Sequence, residues 1–198
     1  MCAGCKVAQD RVRACSGLPL ILNVLRICCS LYSKPNGISL ESKQALHRTC
    51  LQTIGNAVAS NPENGEVILA DGWPAPILDV IVGELPIELK AITLMILYNC
   101  LLKSPAHLKE FSYSGECGVV LETVLTLTHK MRVGPCSESQ LNRMQDVLIW
   151  TELLVHLVIV NGYFIPMHQH LATRRSSEAS ESELTETLLL YLVEDLCS

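Results

Sequence analysis

Residues 51–104 read LQTIGNAVASNPENGEVILADGWPAPILDVIVGELPIELKAITLMILYNCLLKS. An apolar helix opens the run, breaks at Ser60-Asn61-Pro62-Glu63-Asn64, and is followed by a short helix ending at Asp71-Gly72. A second helix then follows Pro74, and a third follows Pro86. Each break has a local cause: proline blocks helix continuation, and glycine takes the left-handed conformation that stops a helix. The stretch is one three-helix repeat unit.

Within it and just before it, the spacing predicts a helix over 40–59, with Leu46, Cys50, Ile54 and Val58 recurring at i, i+4 as one buried stripe. A short helix over 63–70 carries acidic residues near its start, where they oppose the dipole. Pro74 and Pro76 introduce a helix over 77–82, and Pro86 opens one to about residue 102 as a first-turn proline. That last helix is apolar on nearly every side, so it must lie between neighbours. The pattern returns. Asn56 to Pro62 aligns with Asn99 to Pro105 at an offset of 43 residues, and Ser16-Gly17-Leu18-Pro19 aligns with Asp71-Gly72-Trp73-Pro74 at an offset of 55. The longer loop over 33–42 absorbs the difference. Three helices per unit at this spacing predict an all-α, armadillo/HEAT-like right-handed superhelix of about three units.

Toward the N-terminus, residues 7–19 repeat the short-helix, Gly, Pro junction, and a helix over 18–32 ends at the turn Lys34-Pro35-Asn36-Gly37. A chain that opens there opens in mid-repeat, which reads as a truncated form of a longer solenoid. Toward the C-terminus, a short helix to Phe111 is followed by a break at Gly115 and Gly118. Helices over 119–131 and 139–160 come next, separated by the loop over 134–139, and a less regular helical segment covers 162–171. The organisation is then repeats over 1–172, a flexible polar tether over 173–183, and a C-terminal amphipathic helix over 184–198. Ser180 and Glu183 form its capping box, and it docks back on the last repeat.

The composition agrees. Of 198 residues 49% are hydrophobic and only 5% aromatic, dominated by Leu, Val and Ile in runs longer than strands. The net charge of -5 and the scattered basic residues make nucleic acid and anionic lipid poor candidates as ligands, because phosphate binding needs a concentrated basic stripe. Ten cysteines are present, but Cys28, Cys29, Cys50 and Cys100 sit in apolar helical runs, where a thiol behaves as a small hydrophobe. They read as reduced, in a cytoplasmic protein. No signal peptide is evident. The greasiest windows, 18–31 and 147–160, carry Asn23 and Arg26 or Glu152 and His156 and are too short to span a bilayer.

Little in the chain suggests chemistry. Cys2 and Cys5 have half the spacing of a zinc site without a second pair, and His168 and His170 lack an acidic or thiol companion. Ser112-Tyr113-Ser114-Gly115 is not a nucleophile motif, Cys136 sits in a loop with no evident base, and glycine-rich phosphate loops are missing. The expectation is a non-enzyme with no metal and no cofactor. Arg174-Arg175-Ser176-Ser177 has the charge pattern that basophilic kinases read, which makes Ser177 a candidate phosphorylation site on the tether. Asn56 and Asn99, at matching repeat positions, have two readings. Each bonds its own helix, or, as in armadillo arrays, each bonds the backbone of an extended peptide. With Tyr98 and Lys103 they form the candidate partner-binding set.

The run Ile54 to Asn64, followed by Leu94-Met95-Ile96-Leu97 and by Val147-Leu148-Ile149-Trp150, resembles the central armadillo-like region of the ataxin-10 family over most of 46–171. Its Gly-Asn-x-Ala-Ser-x-Pro-Glu-Asn element also occurs in other armadillo proteins, including exchange factors for prenylated small GTPases. The resemblance implies a cytoplasmic, non-enzymatic scaffold acting through protein partners, with family roles in neuronal survival, neurite outgrowth and cytokinesis. The chain departs from the family in lacking most N-terminal repeats and in ending with its own Leu-rich helix. The alternative it leaves open is an armadillo-type regulator, exchange factor or chaperone, of a small GTPase. The implied partners are other proteins, with a homo-oligomer as a further option.

Overall fold

The breaks read from Pro, Gly and Asn separate helices throughout the described residues. A computed structural model describes residues 4–32, 37–71, 75–133 and 137–163. Among them the regular elements are α1 (Lys6–Ala14), α2 (Gly17–Tyr32), α3 (Leu40–Val58), α4 (Pro62–Ala70), α5 (Ala75–Val82), α6 (Ile87–Leu101), α7 (Pro105–Tyr113), α8 (Glu116–Val133) and α9 (Glu138–Val160). The all-α class is met. Among the described residues no single helix is long and apolar enough to cross a membrane. The expected turn at Lys34-Pro35-Asn36, the stop at Gly72, the segment beyond residue 163, the tether and the terminal helix lie outside the described residues.

Local signals account for the starts. Ser39 Oγ accepts the Ser42 amide at 3.2 Å to open α3, and Asn61 Oδ1 accepts the Asn64 amide at 3.2 Å to open α4, with Pro62 in its first turn. Ser137 and Gln140 close a reciprocal capping box on α9. Three expectations are corrected in detail. Pro86 is the residue before α6 rather than part of its first turn. Gly118 lies inside α8, and the break belongs to Gly115, at φ +91°. The turn between α1 and α2 uses Ser16 in the left-handed region, at φ 52°, while Gly17 already begins α2.

Residues 1–107 form one compact unit. In it α1, α2 and α3 make a triplet, α4, α5 and α6 make a second, and each helix packs on its counterpart: α1 on α4, α2 on α5, α3 on α6. Helix α6 also packs on α4 and α5, which buries Leu89, Leu94, Ile96, Leu97, Cys100 and Leu101. This is the sandwiching that its apolar circumference requires. The stripe expected on α3 is shifted. Leu46 is 43% exposed, and the buried line is His47, Cys50, Leu51, Ile54 and Val58. At 3.6 residues per turn a strict i, i+4 series drifts around the helix, and only part of it can share one face.

Helix C-termini in this unit are closed by side chains from elsewhere. Gln9 Nε2 donates to the carbonyls of Asn56 and Ala59, each at 2.9 Å, at the end of α3. Lys43 Nζ donates to Leu31 O at 2.8 Å at the end of α2. Arg26 donates to Asp71 O and pairs with its carboxylate at 3.7 Å at the end of α4. Lys90, buried, donates to Ile81 O and Gly83 O at the end of α5. The last carbonyls of a helix lack internal partners, and cations there also oppose the negative end of the dipole.

The described residues from 108 to 163 belong to a second compact unit. Its α8 and α9 pack on each other, with Cys117, Val120, Leu121, Val124, Met144, Val147, Leu154, Val155 and Val158 buried. The first turns of α9, residues 138–143, are exposed.

Candidate functional site

The candidate surface is built on α3 and α6. Gly55 of α3 lies under Met95 of α6: a β-carbon added there would stand 2.7 Å from the Met95 methyl. Asn56 follows Gly55 on α3, and Asn99 lies one turn beyond Met95 on the neighbouring α6. Both asparagines are half-buried. Asn99 Nδ2 donates to Met95 O at 2.8 Å, the helix-local bond. Asn56 differs: its backbone carbonyl is taken by Gln9, while its amide group makes no side-chain hydrogen bond among the described residues. Tyr98 is half-buried beside Asn99, and Lys103 is exposed in the turn after α6. Arg48 and Gln52 extend the exposed side of α3. Ser177 and the His168 and His170 pair lie outside the described residues, as does Cys2, while Cys5 is exposed.

Two other constellations bring reactive groups together. Cys29 Sγ lies 3.6 Å from His47 Nε2, the contact a thiolate and imidazolium would use. Burial pushes the Cys29 thiol up to about 11, helped by Asp79, and burial lowers His47, so the pair stays thiol and neutral imidazole. Burial, with Cys50 beside it, likewise raises Cys28 to about 11. Ser104 Oγ lies 2.8 Å from His107 Nδ1, and Glu66 Oε2 lies 4.0 Å from the same nitrogen. A Ser-His-acid triad needs the serine and the acid on opposite ring nitrogens, and here they share one. Ser112, from the motif weighed as a nucleophile, is buried and donates to Leu108 O at 2.8 Å. Among the described residues no group of three His, Cys, Asp or Glu is placed to hold a metal ion.

The sequence reading missed the densest polar cluster. Arg13 donates to Asn64 Oδ1 at 2.8 Å and Asn61 Oδ1 at 3.3 Å. Asn61 Nδ2 donates to Gln9 Oε1 at 3.2 Å and Asp10 Oδ1 at 3.1 Å. Asn64 Nδ2 donates to the carbonyls of Ala57, at 2.8 Å, and Gln9, at 3.1 Å. Gln9, Asn61 and Asn64 are buried. The cluster satisfies its own donors and ties α1 to the α3–α4 turn, so its role is structural. Asn61 and Asn64 were visible as a break and a cap, whereas nothing in the polar sequence of α1 marks Gln9 as buried.

Comparison with family models, with curated proteins and with solved structures returns no match for this chain.

Proposed function

We propose that this chain is a non-enzymatic, cytoplasmic scaffold of the armadillo-like, ataxin-10 type, which binds other proteins along the surface shared by α3 and α6. The observation that carries the reading is the counterpart packing of two successive helical triplets, α1 on α4, α2 on α5 and α3 on α6. Stacking of this kind lines up the third helix of each unit into one surface, the device by which helical-repeat proteins hold extended partners. Asn56 and Asn99 stand at matching positions on that surface, with Tyr98 and Lys103 beside the second. The non-enzymatic part is supported by the protonation states of Cys29 and His47 and by the shared nitrogen at His107. On this reading the asparagine amides bond a partner's backbone, and Lys103 favours an acidic side chain next to it.

The test is affinity purification of the whole chain with quantitative mass spectrometry, wild type beside Asn56→Ala with Asn99→Ala. A hydrogen bond is worth about 0.5–1.5 kcal/mol, so losing two weakens a partner by about tenfold or more. The expected outcome is depletion of specific partners with an unchanged thermal melt. Recovery of the same partners at the same level by the double variant would remove this surface from consideration.

A further inference from the structure

We propose that Ser16 is a phosphorylation site for a basophilic protein kinase, and that its phosphate competes for Arg13 with the asparagines that hold the end of α1. Arg11-Val12-Arg13-Ala14-Cys15-Ser16 places guanidinium groups five and three residues before a serine, the charge pattern that such kinases read with acidic side chains of their own. Ser16 is exposed in the turn between α1 and α2, and its hydroxyl makes no hydrogen bond among the described residues. Arg11 is exposed as well, in the last turn of α1, and has no ion-pair partner among the described residues.

Arg13 is the half of the motif that the fold already uses. It donates to Asn64 Oδ1 at 2.8 Å and Asn61 Oδ1 at 3.3 Å, and it pairs with Asp10 at 3.1 Å. A kinase takes its substrate as an extended chain, whereas residues 11–14 are the last turn of α1. The serine is therefore modified only when that turn opens and Arg13 leaves the α3–α4 turn. The kinase moves the γ-phosphoryl group of ATP to Ser16 Oγ: the new O–P bond forms as the β–γ bridge breaks, ADP leaves, and the hydroxyl proton passes to the kinase's base. The product carries about −1.5 to −2 units of charge just past the end of α1, where the helix dipole is already negative. The same charge stands directly before α2, whose first turn holds no acidic residue, so α2 keeps its start. Arg13 exchanges two neutral amide oxygens for a dianion, the stronger acceptor. Only the last turn of α1 is released, because Gln9 still bonds the Asn56 and Ala59 carbonyls. The inference rests on how α1 is docked and goes beyond the scaffold reading.

The experiment incubates the full 198-residue chain with ATP, Mg2+ and a purified kinase selective for arginine five and three residues before serine. Peptide mapping by mass spectrometry follows the phosphate at Ser16 separately from Ser176 and Ser177. The wild type is expected to be modified at Ser16, and Arg11→Ala, which disturbs no contact of the fold, at least ~10-fold more slowly. Asn64→Ala, assayed where its helical spectrum shows it folded, frees Arg13 from one of its two asparagines and is expected to be modified at least ~3-fold faster. Hydrogen exchange of the phosphorylated wild type is expected to quicken over residues 11–15 and to stay unchanged along α2. A wild type that takes no phosphate at Ser16 overturns the proposal. So do a rate indifferent to Arg11→Ala, a rate that Asn64→Ala leaves unchanged, and a phosphorylated chain whose α1 exchanges as slowly as before.

Discussion

Asn64 ties α1 to the α3–α4 turn through its side chain and its backbone amide. It caps through its backbone amide to Asn61, donates twice to carbonyls and accepts from Arg13, with its side chain fully buried. Asn64→Ala leaves the Ala57 and Gln9 carbonyls and the Arg13 guanidinium each short of a partner in a closed space. Each stranded group costs roughly 1–3 kcal/mol, partly recovered by relaxation, so the expected loss is about 2–4 kcal/mol by chemical denaturation. Glu63→Ala, one residue away on the exposed side of the same turn, is expected to stay within about 0.5 kcal/mol. Equal effects of the two would mean that the cluster does not hold α1 in place. Half of this site was legible. Asn-Pro-x-Asn announces a helix start, but Gln9 and Arg13 look like surface residues because the partners that bury them lie about fifty positions along the chain.

At the scale of the elements, two glycines set how closely helices approach, and they differ in what faces them. A β-carbon on Gly65 of α4 would meet the Cys100 α-carbon of α6 at 3.3 Å, which is backbone in a buried helix. One on Gly55 would meet the far end of Met95, which is free to swing. Gly65→Val is therefore expected to destabilise by about 1–3 kcal/mol, the usual cost of overpacking. Gly55→Ala is expected to be near neutral, because removing a mid-helix glycine returns about 1 kcal/mol of helix propensity. Thermal melts of the two variants decide it, and the reverse order would contradict the α4–α6 approach. The elements themselves were readable to within a few residues, since Pro, Gly and Asn act through the local backbone. The face that each helix buries was less so. Leu46 and His47 sit side by side, and the apolar one is exposed while the histidine is buried, because α3 is covered from two directions at once by α2 and α6.

At the scale of the molecule, Cys28, Cys50, Cys100 and Cys117 are buried as core among the described residues, while Cys5 and Cys15 are exposed. Burial raises Cys28 and Cys29 to about 11 and Cys100 and Cys117 to about 12, from an ordinary value of 9.0. A group whose folded value is raised contributes stability that is complete below its unfolded value and lost as pH climbs through the folded one. The unfolded chain ionises these thiols from about pH 9 upward, while the folded chain keeps them protonated to about pH 11 or 12. The melting temperature is expected to hold up to about pH 9 and then fall steeply toward pH 12, with a shallower fall in Cys100→Ala with Cys117→Ala. Identical slopes for wild type and double variant would contradict the assignment. The burial of Cys28, Cys50 and Cys100 was legible from their apolar surroundings.

The sequence by itself determined that the described part of this protein is helical, and where most of those helices begin and end to within a few residues. Those properties follow from backbone geometry and from the local chemistry of Pro, Gly, Asn and Ser, which act within one or two turns. Only the tertiary structure decided which carbonyls Gln9, Arg26, Lys43 and Lys90 close, and that burial raises the Cys29 thiol beside a His47 whose own value burial lowers. Each of these depends on groups far apart in sequence and on how much water the packing removes around them. Neither quantity is written in the order of the residues.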